Sequence, residues 1–366
     1  MHNETEKARA APRRQPEPAP AIAPAQSAQP ARRPDPHAFA DETMRKAIRD
    51  GLQARPRKLP ASLLYDALGS SLFEAITFLP EYEVTRADFA LLERHSREVF
   101  DALGGPIEVC ELGPGAGSKA ALVLRQLIER QPTVPFTGVD VSRTALDQCQ
   151  HALEAIPGVV ARAQQARYLD GLAAAPRTED HRRLVLFLGS NLSNFERAAA
   201  ARFFHEVRAH LQPGDGFLLA TDLDKAPEQL IPAYDDALGV TAAFNRNVLL
   251  RLNRDWGADF PLDAFRHRAH WNAQARRIEM HLEAERSIRT RVLDIDVLMA
   301  PGETLWTESS HRFTTAELRG WGEAAGFRCA GQWQNAPWAF AHSLFVVPDR
   351  FPPVFPPGFL PQSSFP

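Results

Sequence analysis

Ile107-Glu-Val-Cys-Glu-Leu-Gly-Pro-Gly-Ala-Gly-Ser-Lys119 decides how the rest of the chain is read. An apolar run (Ile107, Val109, Leu112) carries an acid, Glu111, near its end. Three glycines (Gly113, Gly115, Gly117) then alternate with small residues, and a helical pattern starts at Ser118. This describes a buried strand turning sharply into a helix, its glycines accepting positive φ and letting a ligand approach bare backbone. Downstream, Phe136-Thr-Gly-Val-Asp140 is a second short strand ending in a carboxylate. A glycine turn followed by such an acid is how an open α/β sheet holds an adenosine-containing ligand, with the acid on the ribose hydroxyls. Dinucleotides and S-adenosylmethionine both fit that logic. The Gly-x-Gly-x-Gly spacing behind Glu111 favours S-adenosylmethionine, because no pyrophosphate requires a glycine deeper in the helix. A glycine-rich turn without a ligand is the plain alternative.

From Ile107 the chain alternates strand and helix. Strands are expected near 107–112, 135–140, 184–189 and 217–222, and helices near 118–130, 143–154 and 196–211. The fold class is therefore α/β, a doubly wound, mostly parallel sheet with ligand at the carboxyl ends of its strands. The third predicted strand runs into a polar loop, Ser190-Asn-Leu-Ser-Asn194, where substrate should meet cofactor.

Outside this core the signals change. Ahead of it lies a helix near Asp41–Arg49, stopped by Gly51. Leu59–Tyr82 follows, with short helical patterns broken at Gly69, Ser70 and Pro80, and then an amphipathic helix with Thr85 as its N-cap. Beyond Asp224, residues 225–272 read as helical. Ile278, Met280, Leu282 and Ala284 alternate with Glu279, His281 and Glu283, as in a half-buried antiparallel strand, and Ser287–Leu293 is its expected partner. Thr307–Phe313 reads as a helix-entry loop. A helix over Thr315–Ala325 and a strand over Ala339–Val347 should close the main sheet.

Composition narrows the function. Across 366 residues, 44% are hydrophobic and the formal charge is −3, a balance that leaves no basic footprint for nucleic acid or anionic membrane. The loop after the third strand also lacks the Asp/Asn-Pro-Pro-aromatic turn common to nucleic-acid amino methyltransferases. Cys110, Cys149 and Cys329, odd in number and far apart, argue against a disulfide framework and against a zinc site, and no metal is expected. No apolar run is long enough to span a membrane, and no signal core stands at the N-terminus, so a cytoplasmic setting is the simplest reading. Residues 1–37 and 349–366 are Pro-rich and read as tails without regular structure.

Asp170, after the second helix, sits where an acid commonly accepts from an adenine amino group, and Lys119 is placed to meet a methionyl carboxylate. Both have ordinary alternatives as a loop acid and a first-turn lysine. Tyr65, Tyr82 and Tyr234 flank the core segments; phenols suit a small zwitterion, and their ring faces tolerate a methylated cation.

From about Asp41 to Val347 the chain resembles the histidine Nα-methyltransferase of ergothioneine biosynthesis. The likeness is carried by Tyr65-Asp-Ala-Leu-Gly-Ser, Leu79-Pro-Glu-Tyr82 with Thr85-Arg86, Glu111-Leu-Gly-x-Gly and Phe187-Leu-Gly-Ser. Ala233-Tyr-Asp-Asp-Ala, Gly239-Val-Thr-Ala-Ala-Phe-Asn-Arg-Asn247, Arg277-Ile-Glu-Met280 and Thr307-Glu308 continue it. The resemblance implies a class I methyltransferase, Rossmann-like over 88–224 and 313–348. A second, substrate-binding domain would come from 38–87 and 225–312, that is, from the N-terminal segment and an insertion after the fourth predicted strand. It implies S-adenosylmethionine as methyl donor, held by Gly113, Gly115, Lys119, Asp140, Asp170 and Gly171. It places histidine against Tyr82, Asn194, Tyr234, Met280, Glu308 and Ser310, with Tyr65 near the reacting amine. Asn194 and Tyr234 would grip the carboxylate, and Glu308 and Ser310 the imidazole.

The implied activity is trimethylation of the α-amino group of L-histidine to hercynine by a monomer acting on a small molecule. The alternatives are the same chemistry on another small amino acid or amine, and a catalytically silent binding module. Family members usually carry Gly-Ser-Thr-Ile-Gly-Asn after the third strand, whereas this chain has Gly189-Ser-Asn-Leu-Ser-Asn194. Gly171 stands where a bulkier neighbour of the adenine is common, and Ser309 separates the two imidazole contacts. Asn191 and Ser193 therefore bear on which amino acid is preferred.

Overall fold

The computed structural model describes residues 36–349, so the two Pro-rich tails lie almost wholly outside the described residues. Compactness separates Met1–Thr43 from Met44–Pro366, and apart from the start of the first helix the architecture below belongs to the latter. The first elements are α1 (Pro36–Gln53), β1 (Arg57–Lys58), α2 (Ala67–Thr77) and α3 (Val84–Leu103). The central run is β2 (Ile107–Leu112), α4 (Ser118–Ile128), β3 (Val134–Asp140), α5 (Arg143–Glu154), β4 (Val159–Gln165) and α6 (Tyr168–Ala174). It continues with β5 (Arg182–Phe187), α7 (Arg197–Arg208) and β6 (Gly216–Asp222). Then follow α8 (Pro227–Leu230), α9 (Val240–Trp256), β7 (Phe265–Asn272), β8 (Arg277–Ala284), β9 (Ile288–Val292), β10 (Ile295–Met299) and β11 (Thr304–His311). The last are α10 (Thr315–Ala324), β12 (Arg328–Asn335) and β13 (Phe340–Val346).

Seven strands form the main sheet in the order β12-β13-β6-β5-β2-β3-β4. All neighbours run parallel except β13, which is antiparallel to both β6 and β12. That order, with its one reversed strand, is the class I methyltransferase fold expected from the sequence. β2 lies between β3 and β5, so the strand order reverses there, and a crevice opens at the carboxyl ends of these strands. Every residue of β2 and β6 is buried, which explains their mainly apolar composition and puts Glu108 and Glu111 of β2 inside the fold. β4 and β12 were not anticipated. Both are sheet edges, only partly buried, and Arg162, Gln164, Gln332 and Gln334 interrupt any apolar pattern.

A second, four-stranded sheet has the order β1-β11-β8-β7. Here several expectations need correction. Residues 265–272 are strand β7 rather than helix, and 304–311 are strand β11 rather than a helix-entry loop. β8 pairs with β7 and β11, whereas β9 pairs only with β10. Polar residues obscured both partners: Arg266, Arg268 and His270 in β7, and Thr307 to Ser310 in β11. Gly51 does not stop α1 but lies inside it. A Cβ there would sit 2.2 Å from the Lys58 carbonyl oxygen, so glycine is what lets β1 approach the helix. Gly69 and Ser70 likewise lie within α2, and Thr85 sits in the first turn of α3 rather than at its cap.

Candidate active site

The turn after β2 behaves as its composition requires. Gly113, Gly115 and Gly117 have φ of 77°, 55° and 82°, where side chains are strained. Beside them Glu111 is fully buried, and neither carboxylate oxygen has a hydrogen-bond partner. Burial pushes its carboxyl up to about 7, partly opposed by the Lys119 ammonium. A buried acid with no partner is costly unless a ligand supplies one.

Lys119, one residue into α4, is not idle. Its Nζ lies 3.1 Å from Asp88 Oδ2, and the same oxygen accepts from the Gly189 backbone N–H at 2.8 Å. Asp88 Oδ1 meets His342 Nε2 at 2.6 Å. Burial alone would raise the Asp88 carboxyl, but Lys119 and His342 hold it at about 2. Asp88 therefore ties α3, α4, β13 and the end of β5 to one point, and no motif in the sequence pointed to it.

Asp140 ends β3, and its carboxylate accepts from the backbone N–H of Ser142 at 2.8 Å and from that of Gly115. Asp170 is exposed in the first turn of α6. Gly171 follows it, buried, where a Cβ would stand 2.2 Å from Val139 Cγ1. The departure at Gly171 is thus explained by close packing of α6 on β3. The Tyr168 ring stacks edge-on against Phe187, with centroids 5.2 Å apart, and its hydroxyl would lie 3.3 Å from a Cβ at Gly113. Tyr168 was missed because the sequence segment emphasised its acid.

A narrow, partly open cleft brings together Tyr65, Tyr82, Asn194, Tyr234, Met280, Glu308 and Ser310. These are all seven residues expected to form the substrate site, and they come from separate segments of the chain. Arg86 donates to the carbonyls of Leu79 and Pro80 and so holds the loop carrying Tyr82, which gives the Leu79-to-Arg86 motif a physical reason. Asp66 caps α2 and accepts from Asn247 and Arg254, fixing Tyr65 against α9. Ser190, at φ 62°, bonds Ser193 and the Asp222 N–H, and this turns the loop so that Asn191 and Asn194 line the cleft. Two further rings complete the wall. Phe73 and Phe244 lie 5.8 and 5.6 Å from Tyr65, and Phe73 lies 6.2 Å from Tyr82.

The two ends of the cleft differ in charge. At one end Tyr65 donates to Glu308 Oε1 at 3.3 Å, and burial pushes the Glu308 carboxyl up to about 7. At the other, the Tyr234 hydroxyl lies 2.8 Å from that of Ser310 and accepts from Arg312 Nη2 at 3.0 Å. Arg312 is fully buried and lies 3.1 Å from Asp222 Oδ2, off the line of a hydrogen bond. Lys225 bonds the other Asp222 oxygen. Arg312 is thus the cation that stands directly behind the Tyr234 hydroxyl. Arg312 and Asp222 carried no sequence signal, since each is an isolated charge at the end of a strand.

A bulge places the acid. In the register of β11 on β8, Trp306 faces His281 and Glu308 faces Met280, so Thr307 is an extra residue. Its hydroxyl bonds the Met280 carbonyl at 2.9 Å. The extra residue reverses the alternation, so Glu308 and Ser310 share the cleft face with Met280 instead of pointing away.

Residues 44–347 match the histidine-specific, S-adenosylmethionine-dependent methyltransferases. The chain belongs to that family. It is 41% identical over 310 residues to the histidine N-alpha-methyltransferase of Mycolicibacterium smegmatis, covering 84% of this chain and 96% of the relative. The enzyme of that name from Mycobacterium tuberculosis is 39% identical over 304 residues, with 82% and 94% covered. The N-methyltransferase fsqC of Aspergillus fumigatus is 27% identical over 309 residues, with 82% and 83% covered. Like the family as a whole, this chain is an S-adenosylmethionine-dependent methyltransferase. The unpartnered Glu111 carboxylate, the open backbone at Gly115 and the Lys119 ammonium fit a ligand that carries both an ammonium and a carboxylate.

Proposed function

We propose that this enzyme trimethylates the α-amino group of L-histidine, giving hercynine, as in ergothioneine biosynthesis. The observation that carries the reading is the cleft, acidic at Glu308 and cationic behind Tyr234, lined by rings between. Such a site suits a zwitterion with an imidazole at one end and a carboxylate at the other. Tyr234 and Asn194 receive the carboxylate, with Arg312 strengthening the Tyr234 hydroxyl as a donor. Glu308 takes the imidazole: a carboxyl near 7 beside an imidazole of similar basicity forms a strong hydrogen bond in whichever group the proton resides. Ser310 bridges the two ends, because its hydroxyl already belongs to the Tyr234–Arg312 network.

S-adenosylmethionine supplies an activated sulfonium methyl when bound, with Glu111, Gly113, Gly115, Lys119, Asp140, Asp170 and Gly171 as its holding residues. In each turnover the substrate ammonium first gives up one proton to solvent, and an N–C bond then forms on the neutral amine as the sulfonium S–CH₃ bond breaks. The protein's part is alignment and exclusion of solvent. The amine loses an N–H at every round, so the site around it must not depend on donors from the substrate. The faces of Tyr65, Phe73, Tyr82 and Phe244 meet that condition and stabilise the quaternary product. Segments 38–87 and 225–312 are proposed to act together as the substrate-binding domain, which is supported by the origin of Tyr65, Tyr82, Tyr234, Met280, Glu308 and Ser310 in them.

Incubating purified enzyme with S-adenosylmethionine and a panel of free amino acids, followed by mass spectrometry, tests the reading. Histidine alone should advance through mono-, di- and trimethyl forms. Methylation of another amine instead would move the specificity to Asn191, Ser193 and Ser309, and the absence of any product would overturn it.

A further inference from the structure

The face of β8 turned away from the cleft carries its own cluster. Met280 faces the cleft, so Glu279 and His281 face outward, and His270 of β7 pairs directly with Glu279. Glu279 Oε2 lies 3.1 Å from His270 Nε2 and 3.2 Å from His281 Nε2. All three candidate ligand atoms lie within 4.8 Å of one another. Ligand atoms around a tetrahedral zinc, bound at about 2.0–2.1 Å, stand about 3.3 Å apart, so the three atoms need only small shifts to share one ion.

The surroundings orient each ligand. Glu279 Oε1 is occupied by Asn272 Nδ2 at 2.9 Å and Arg277 Nε at 2.7 Å, which leaves Oε2 for the two imidazoles. His281 Nδ1 meets Thr304 Oγ1 at 3.2 Å, directing Nε2 toward Glu279, and the ring stacks on Trp306. Partners of this kind on the remote atoms of ligands are a regular part of metal sites. Arg277 brings a positive charge close by, but it also pairs with Glu196 at 3.2 Å and lies over the Trp306 ring. His270 is half exposed, so an ion can enter from solvent and keep a water as its fourth ligand.

We propose that His270, Glu279 and His281 bind a zinc-class divalent ion that clamps β7 to β8 on the face opposite the substrate cleft. Two imidazoles and a carboxylate suit Zn²⁺ or Co²⁺ and disfavour the hard ions Mg²⁺ and Ca²⁺. The clamp is structural, since the methyl transfer needs no metal. Counting cysteines misses the site because none of its ligands is a cysteine.

The test uses full-length protein without a histidine tag, stripped with chelator, dialysed, and kept free of histidine, which itself binds metal. Calorimetric titration with ZnCl₂ should give one ion per chain at micromolar affinity or tighter, and zinc should raise the melting temperature. Co²⁺ should give the intense visible bands of a four-coordinate site. The exposed variant His270→Ala should weaken binding at least tenfold, and adding His281→Gln should abolish the cobalt bands and the thermal shift. Absence of saturable one-to-one binding by the unmodified protein overturns the proposal, as does binding unchanged in the double variant. The cobalt spectrum of unmodified protein decides the matter even if a variant folds poorly.

Discussion

The proposed cofactor edge and the proposed substrate wall of this enzyme are built in opposite ways. The edge is made of turns that each follow their own strand: Glu111 to Lys119 after β2, Asp140 at the end of β3, and Asp170 and Gly171 just after β4. The wall draws single residues from distant elements: Tyr65 ahead of α2, Tyr82 ahead of α3, Tyr234 ahead of α9, Met280 in β8, and Glu308 and Ser310 in β11. A turn that follows its own strand is positioned by local geometry, so its chemistry travels with the fold. A wall of scattered residues depends on the register between strands, so the single extra residue, Thr307, sets which side of Trp306 the cleft-facing pair Glu308 and Ser310 falls on.

Removing both polar groups that β11 turns to the cleft, Glu308→Ala with Ser310→Ala, is the strongest way to break that comparison. Two buried polar contacts worth about 1–3 kcal/mol each are then lost. The turnover efficiency, kcat/KM, for histidine should fall by roughly 10³-fold, while S-adenosylmethionine binding, read by calorimetry, stays within about twofold. Equal loss of both would show that the two regions are not independent. Glu308→Ala removes one of those contacts and should weaken histidine binding by roughly 10²-fold, more than any other single change in the wall. Unchanged histidine affinity would end the imidazole role of Glu308.

The reciprocal change is Glu111→Gln, expected to weaken S-adenosylmethionine about tenfold with histidine affinity little altered. The smallest effect concerns protons. In the free protein burial holds the Glu111 carboxyl at about 7, and an ammonium partner would lower it. Binding S-adenosylmethionine near pH 7 should then release up to one proton, visible as a buffer-dependent binding enthalpy that Glu111→Gln removes. The sign for stability is the reverse of a salt-bridged acid. Glu111 and Glu308 hold protons in the folded state that the unfolded chain has already lost. The free enzyme should therefore lose stability as pH climbs from the ordinary carboxylate range through about 7. Melting curves across that range check this, and S-adenosylmethionine should recover part of the loss at the upper end.

Much of this was legible beforehand because burial leaves a strong trace. β2, β3, β5 and β6 are covered on both faces and read as apolar runs, and β8 shows its period of two. β4 and β12 left little trace, because an edge strand has fewer neighbours to satisfy and tolerates Arg162 or Gln332. The loop ending in Asn194 and the three tyrosines could be singled out from their own segments, whereas Met280, Glu308 and Ser310 were identified only by likeness to a family; all seven do lie together. Phe73, Phe244, Asp88, Tyr168, Asp222 and Arg312 were missed, being aromatics or charges in unremarkable surroundings.

By itself the sequence determined the parallel sheet, the ligand end of that sheet and the glycine turn, since strand period, apolar runs and φ preferences act within a few residues of one another. Only the tertiary structure decided which face of β11 meets the cleft, which charges stand behind Tyr234, and that Asp88 holds Lys119. Those outcomes depend on pairing register and on burial among segments far apart in the chain, and neither is encoded in any single stretch.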